Sequence, residues 1–194
     1  MNIGLDYDDV IVDTYEPYFA YAQKYMIEHL KRDPQIIDNG DINSSAYCTY
    51  MHGWTQEEED DFWYKNYYEK IETISRSKTF AKEVIAKLRS EGHKIIIITS
   101  RNGKEEELMC NQMEKEGIVV DQIIANAIKK GKIAKENNID VFVDDNYQNC
   151  KDVFGQGIKS YLMDIRTNRN LNDANIPRVY SWPHIYYEIS NLNK

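Results

Sequence analysis

Four consecutive isoleucines, residues 95–98, constrain the fold of this chain more than any other feature of its sequence. The run is too short for a typical helix, and its β-branched side chains favour a strand that is buried on both faces. Residues 2–6 and 140–143 carry similar short apolar runs, and residues 122–125 and 159–163 are further strand candidates. A strand buried on both faces needs helices on either side of its sheet, which indicates an α/β protein.

Helical patterns alternate with these strands along most of the chain, as at residues 80–88. This alternation predicts a doubly wound parallel sheet. Residues 15–78 break it, because they contain helical patterns without a convincing buried strand. We therefore predict an α/β core formed by residues 1–14 and 79–194, with a helical cap inserted at residues 15–78. Within the cap, acidic residues 57–61 are interpreted as a solvated helix start rather than a metal site.

Composition limits the classes of partner. The chain has 194 residues, a formal net charge of −8 and no basic patch, which argues against binding a nucleic acid polymer. Its three cysteines form no CxxC pair, which suits a reducing compartment and argues against zinc. No apolar run approaches the ~18 residues of a membrane span, and the first residues lead directly into a strand. We predict a soluble cytoplasmic protein without a membrane partner.

Polar side chains follow three of the predicted strands. Asp6 and Asp8 come directly after the first strand and point to the same side, although acids at such places are also ordinary turn or cap residues. Asp144 and Asp145 follow another buried strand, where an uncompensated carboxylate pair is costly and a divalent cation would compensate it. The isoleucine strand ends in Thr99 and Ser100, whose hydroxyls suit a phosphate oxygen. Lys130 begins the helix before Asp144 and could balance the charge of a phosphate.

In a doubly wound sheet, ligands bind outside the carboxyl ends of the strands, where three of these four motifs fall. The ordered set of DxDxV, a strand ending in Thr-Ser, a lysine and a strand ending in Asp-Asp resembles the haloacid dehalogenase superfamily of aspartate-nucleophile phosphatases. The insertion after the first motif, with the Ile-Thr-Ser-Arg and Val-Asp-Asp-Asn motifs, is similar to the cytosolic 5'(3')-deoxyribonucleotidase family. Asp9 replaces a frequent glycine and Arg101 a frequent proline, which leaves the substrate open.

The resemblance implies a role for each motif. Asp6 is the expected nucleophile and forms an aspartyl-phosphate, while Asp8 protonates the leaving oxygen and then accepts a proton from water. Mg²⁺ is expected to bind the Asp6 carboxylate, Asp144 and the main-chain carbonyl of Asp8, while Asp145 holds a metal-bound water. The residues expected to hold the phosphate oxygens are Thr99, Ser100 and Lys130, with Lys130 preferred to Lys132.

Several interpretations stay open. Arg101 either reaches the substrate or pairs with an acid, and residues 168–170 form either a lid or, in the preferred interpretation, a polar surface loop. The aromatic residues of the cap fit either a small helical core, which is preferred, or stacking on a nucleobase: Trp54, Phe62 and Trp63.

The expected function is magnesium-dependent release of phosphate from nucleoside monophosphates. A phosphatase for sugar phosphates or phosphoglycolate is the alternative enzyme, and a binding module that has lost turnover is the alternative of another class. Self-association into a homodimer is left open.

Overall fold

A six-stranded sheet organises the chain. The computed structural model describes residues 1–33 and 53–192. In sequence order, the strands of these residues, which form the main sheet and a separate two-stranded pair, are β1 (Asn2–Leu5), β2 (Val12–Asp13), β3 (Arg76–Ser77), β4 (Lys94–Ile98), β5 (Gln122–Ile124), β6 (Val141–Asp144), β7 (Lys159–Met163) and β8 (Arg178–Val179). The main sheet has the order β5-β4-β1-β6-β7-β8, and all of its neighbouring strands are parallel. The predicted parallel sheet is therefore confirmed, with β8 as an edge strand that the sequence did not indicate.

Helices connect the strands and cover the sheet. They are α1 (Tyr15–Tyr25), α2 (Gln56–Asp60), α3 (Tyr68–Ile74), α4 (Ala81–Ser90), α5 (Lys104–Glu116), α6 (Lys130–Glu136), α7 (Tyr147–Phe154) and α8 (Trp182–Leu192). Two π-helical segments, Met26–Leu30 and Asp61–Tyr67, extend α1 and α2, and a 3-10 turn spans Arg166–Asn168. Among the residues described, no helix combines the length and apolar character that crossing a membrane requires.

The isoleucine strand β4 is buried on both faces, as its sequence predicts. Ile95 and Ile97 belong to a core cluster that includes residues of α4, α5 and α8. Ile96 and Ile98 belong to a second cluster on the other face, with residues of α6 and α7. Alternate side chains of a strand point to opposite faces, so each face of β4 buries two isoleucines under its own layer of helices. The doubly wound α/β architecture is thus confirmed.

The helices of the inserted segment have a hydrophobic cluster of their own. It is formed by aromatic residues in which ring centroids lie 5.1–5.8 Å apart, including Tyr18, Tyr25, Trp54 and Phe62. Trp54 and Phe62 are buried there, so core packing is the correct interpretation for these two side chains. Residues 34–52, which belong to the predicted cap, lie outside the described residues. The division into core and cap stays a prediction.

A short antiparallel pair joins the two ends of the inserted segment. Val12 of β2 lies opposite Ser77 of β3, and Asp13 lies opposite Arg76. Two residues per strand are too few to give a recognisable alternating pattern, which is why the sequence did not indicate this pair. The pair holds the start and the end of the insertion together, close to the carboxyl end of β1.

Candidate active site

Three adjacent strands bring the predicted site residues to one edge of the sheet. Leu5 of β1 is in register with Ile97 of β4 on one side and with Val143 of β6 on the other. Because the strands are parallel, their carboxyl ends lie at the same edge. The polar residues that end or follow these strands therefore come together: Asp6, Thr99, Ser100, Asp144 and Asp145.

A buried group of carboxylates lies at the centre of this edge. Oxygen atoms of Asp6, Asp144 and Asp145 lie within 4.8 Å of one another. Lys130 is buried between two of them, with its Nζ 2.7 Å from Asp6 Oδ1 and 2.8 Å from Asp144 Oδ2. Lys132 instead has an exposed side chain 3.7 Å from Glu136. A set of carboxylate oxygens is the donor type that Mg²⁺ prefers, so these residues fit a magnesium ion.

Burial governs the ionisation of this group. It raises the pKa of Asp6 to about 7 despite the adjacent Lys130 ammonium, and the Asp144 carboxylate adds to the shift. Burial and the negative charge of Asp144 also raise the pKa of Asp145 well above its usual value. For Lys130, burial disfavours the charged form, but the carboxylates of Asp144 and Asp6 outweigh it and raise its pKa. The acids therefore carry a repulsion that a bound cation would relieve.

Asp8 lies beside this group and is held by two side chains. Arg101 donates from Nε to Asp8 Oδ2 at 2.8 Å and from Nη2 to Asp8 Oδ1 at 2.6 Å, while Thr14 Oγ1 donates to Oδ1 at 2.7 Å. Burial opposes ionisation of Asp8, but the Arg101 charge and these hydrogen bonds lower its pKa below the usual value. The structure thus holds Asp8 as a carboxylate.

Arg101 also binds Glu72 of α3, in the inserted segment. Its Nη1 and Nη2 donate to the two oxygens of Glu72 at 2.8 and 2.7 Å. The Arg101 guanidinium lies 4.8 Å from the centre of the Tyr7 ring and is buried with Glu72. Of the two roles that the sequence left open for Arg101, the structure shows pairing with acids.

Removing Arg101 should destabilise the fold strongly. Arg101→Ala leaves Asp8 and Glu72 near each other without their shared counter-charge, and breaking a buried pair in this way costs about 3 kcal/mol of unfolding free energy. Chemical denaturation would measure the loss. The matched control is Arg89→Ala, which removes a more exposed pair with Asp121 and should cost much less. Equal losses in the two variants would contradict the buried-pair interpretation.

Several positioning residues escaped the sequence analysis. Asn168 was assigned to a surface loop, but it is buried, and its Nδ2 donates to the carbonyls of Asp145 at 2.7 Å and Met163 at 2.8 Å. The surface-loop interpretation is wrong for Asn168, because these two carbonyls need a buried donor. Asn149 Nδ2 lies 3.2 Å from Asp144 Oδ2. The sequence analysis did not identify Asn149, which lies in the first turn of α7 five residues after Asp144, or Asn168, whose contact with Asp145 depends on how two separate turns meet.

Asp9 occupies the left-handed backbone region, with φ of 56°. Glycine adopts this conformation most readily, and glycine is frequent at this position in the superfamily that the sequence resembles. Here the Asp9 side chain compensates locally, since its Oδ1 accepts hydrogen bonds from the backbone N–H groups of Thr14 at 3.2 Å and Tyr15 at 2.9 Å. Asp9 therefore fixes the turn that leads from the first motif into α1.

Gly131 sets the position of Lys130 by allowing α6 to approach α7. A Cβ at this position would lie 2.5 Å from the carbonyl oxygen of Asp152. Gly131→Ala should therefore cost about 1–3 kcal/mol of unfolding free energy, measured by chemical denaturation. The control is Gly155→Ala, whose Cβ would meet its nearest atom, the Lys151 carbonyl oxygen, at 3.3 Å and should cost less. A neutral Gly131→Ala substitution would show that the two helices can separate freely.

A cavity of about 390 Å³ opens above these residues. Its sheet side includes Asp6, Asp8, Ser100, Lys130 and Asp145, whereas Thr99 is fully buried beneath it. The inserted segment contributes further lining residues, which include Tyr15, Tyr18, Gln56, Glu59, Asp60 and Trp63. Trp63 stacks on Tyr18 with ring centroids 5.3 Å apart. The part of the lining that the inserted segment contributes is thus aromatic and acidic, and it includes Trp63 but not Trp54 or Phe62.

Similarity to known proteins agrees with this geometry. No family model matches the chain. A curated protein named as a nucleotidase, from Clostridium acetobutylicum, is 30% identical over 196 residues, covering 99% of this chain and 95% of that protein.

Solved structures share the fold, including one from Streptococcus pneumoniae and one from Haemophilus somnus. A hydrolase of the haloacid dehalogenase-like family from Streptococcus pneumoniae has a TM-score of 0.72 at 12% identity, covering 100% of this chain and 98% of its own. A structure from Haemophilus somnus, described as a predicted phosphoglycolate phosphatase, has a TM-score of 0.71 at 14% identity, covering 100% of this chain and 97% of its own. At these identities the likeness concerns the fold alone.

Proposed function

Because this chain belongs to the haloacid dehalogenase superfamily, we propose that it is a phosphatase that uses Asp6 as its nucleophile and acts on nucleoside monophosphates. The observation that carries the chemistry is the position of Asp6 at the floor of the cavity, beside Lys130 and the Asp144 and Asp145 carboxylates. We infer that one phosphate group in this cavity can contact the nucleophile Asp6, the cationic Lys130 and the acid Asp8, because all three line it.

In the proposed reaction a carboxylate oxygen of Asp6 attacks phosphorus, and the bond from phosphorus to the ester oxygen breaks. The aspartyl-phosphate that results is then hydrolysed by water, which regenerates Asp6. Lys130, with its ammonium 2.7 Å from Asp6 Oδ1, stabilises negative charge on the phosphate oxygens. The hydroxyl of Ser100, which lines the cavity, donates a hydrogen bond to one of them, and Thr99 supports this turn because its Oγ1 accepts a hydrogen bond from the backbone N–H of Arg101.

Asp8 moves the proton in both steps. The structure holds it ionised against Arg101, which is the form that accepts a proton from the attacking water. For the first step Asp8 needs a proton to give to the leaving oxygen. An arriving phosphate dianion favours that protonation, because a nearby negative charge raises the pKa of a carboxyl group.

The residues that would hold magnesium are Asp6, Asp144 and the main-chain carbonyl of Asp8, with Asp145 beside them. When bound, the ion supplies positive charge that offsets the repulsion between a carboxylate nucleophile and a phosphate dianion. The donor set fits this ion, since all three side chains are buried carboxylates.

Two observations support a nucleotide as the substrate. The cavity lining includes Trp63, whose side chain is only partly buried, and stacking of a base on an aromatic ring is worth about 1–3 kcal/mol. The relative at 30% identity is named as a nucleotidase. Sugar phosphates or phosphoglycolate remain the alternative substrates, and the cytoplasmic location stays a prediction.

A phosphate-release screen with Mg²⁺ tests the proposal. The panel contains the nucleoside monophosphates with phosphate at the 5' or the 3' position, together with ribose phosphate, glycerol phosphate and phosphoglycolate. We expect a nucleoside monophosphate to have the highest kcat/KM. A higher value for ribose phosphate or phosphoglycolate would refute the nucleotide assignment and leave the phosphatase assignment intact, whereas no release from any ester would indicate a binding module.

A further inference from the structure

Acidic side chains far outnumber basic ones in the lining of the cavity above Asp6. Among the described residues, its lining contains eight acidic side chains and two basic ones, Arg101 and Lys130. Sites that accept substrates with several anionic groups usually place a cation opposite each of them. The ratio found here therefore bears on which phosphate esters can enter.

Both basic side chains of the lining are already held by carboxylates. Arg101 is shared between Asp8 and Glu72, with its Nη2 at 2.6 and 2.7 Å from the two acids. Lys130 is shared between Asp6 and Asp144 at the floor of the cavity, where the reacting phosphate binds in the proposed function. A second anionic group could recruit either cation only by breaking a buried ion pair, which is costly.

The wall that the inserted segment and α5 contribute to this cavity adds further acidic side chains. Glu59 and Asp60, at the end of α2, line the cavity beside Trp63, and Glu105 of α5 lines it as well. A phosphate bound at Asp6 shares one cavity with these acids, so its leaving group occupies space that they line.

We propose that the site selects phosphate esters whose leaving group carries no negative charge. The inference rests on the proposed function, because it assumes that the phosphate binds at Asp6. Like charges that face each other disfavour binding, so phosphoglycolate and bisphosphates are rejected. The sugar and base of a nucleoside monophosphate are uncharged at neutral pH, and their O–H and N–H groups can donate to the carboxylates of Glu59 and Asp60.

Matched pairs of substrates test the charge alone. Glycerol phosphate and 3-phosphoglycerate both have three carbons, but only the second has an anionic leaving group. With free Mg²⁺ held constant, we expect kcat/KM to be at least about tenfold higher for glycerol phosphate, and the same order for a nucleoside 5'-monophosphate over its 3',5'-bisphosphate. The ratios should shrink as NaCl is raised, because salt screens partly exposed charges. Equal values within each pair would overturn the proposal.

Neutral variants of the wall locate the effect. Glu59→Gln combined with Asp60→Asn should lower the ratio for the glycerol pair by at least about threefold, since two of the repelling charges are lost. The matched control is Glu57→Gln, an exposed acid of α2 outside the cavity lining, which should leave the ratio unchanged. An unaltered ratio in the double variant would show that Glu59 and Asp60 do not cause the preference for an uncharged leaving group.

A binding measurement separates this proposal from the proposed function. Calorimetric titration of the Asp6→Asn variant with the two glycerol-pair compounds gives dissociation constants without turnover. Tighter binding of glycerol phosphate supports charge selection even if nucleotides prove to be poor substrates. Equal or tighter binding of 3-phosphoglycerate refutes charge selection even if the nucleotide assignment holds.

Discussion

Replacing Asp6 by asparagine should lower kcat by at least about 10,000-fold, as expected when a nucleophile is removed. A neutral amide cannot form the aspartyl-phosphate, and no other described carboxylate occupies the same place at the end of β1. Phosphate release from a nucleoside monophosphate in the presence of Mg²⁺ measures the loss. Turnover within about tenfold of the unchanged protein would exclude Asp6 as the nucleophile.

The same substitution should leave the fold intact. Burial raises the pKa of Asp6 to about 7, so the metal-free folded protein disfavours the charged form that asparagine removes. We therefore expect the metal-free variant to unfold at the same temperature as the unchanged protein or above it. Asp13→Asn is the matched control. Asp13 lies outside the cavity lining, 3.8 Å from Lys78, and its loss should leave turnover unchanged.

The layout of the site was predictable because it follows from local rules. The isoleucine run is a strand for reasons contained in its own residues, and a parallel sheet gathers its strand ends at one edge. Asp6 directly follows β1, Thr99 directly follows β4, and Asp144 ends β6. These three residues therefore meet at one edge of the sheet. Lys130, chosen from its spacing, lies between two of these acids.

The contacts between separate parts of the chain were not predictable. Arg101 and Glu72 are 29 residues apart, and their hydrogen bonds exist only because α3 of the inserted segment lies against the turn after β4. Asn168 was assigned to a surface loop because it begins a polar run with Arg169 and Asn170, yet it is buried and donates to the carbonyl of Asp145. Periodicity identifies elements but carries no information on how two of them meet.

Removing magnesium should abolish activity. A chelator should lower phosphate release by at least about 1,000-fold, because the ion supplies several kcal/mol of charge stabilisation in reactions of this kind. Adding Mg²⁺ in excess should restore the original rate, which controls for damage by the chelator. Full activity in the chelator would exclude a metal site at Asp6, Asp144 and Asp145.

The same ion should stabilise the fold, and more so at high pH. Burial raises the pKa of Asp6 and of Asp9 to about 7, whereas in the unfolded chain both lie near their usual value of about 4. Between these values the folded state binds more protons than the unfolded state, so the stability of the metal-free protein falls as pH rises.

Asp8 does not offset this trend, because its pKa is lowered and it is ionised in both states over that range. Above about pH 7, Asp6 and Asp9 lose their protons in the folded protein, so the repulsion among the acids of the site increases. Protons compete least with Mg²⁺ for the carboxylates in the same pH range. Thermal unfolding at pH 5.5 and pH 8 with and without Mg²⁺ measures the difference. We expect the increase in Tm to be clearly larger at pH 8, and equal increases would place the ion away from these carboxylates.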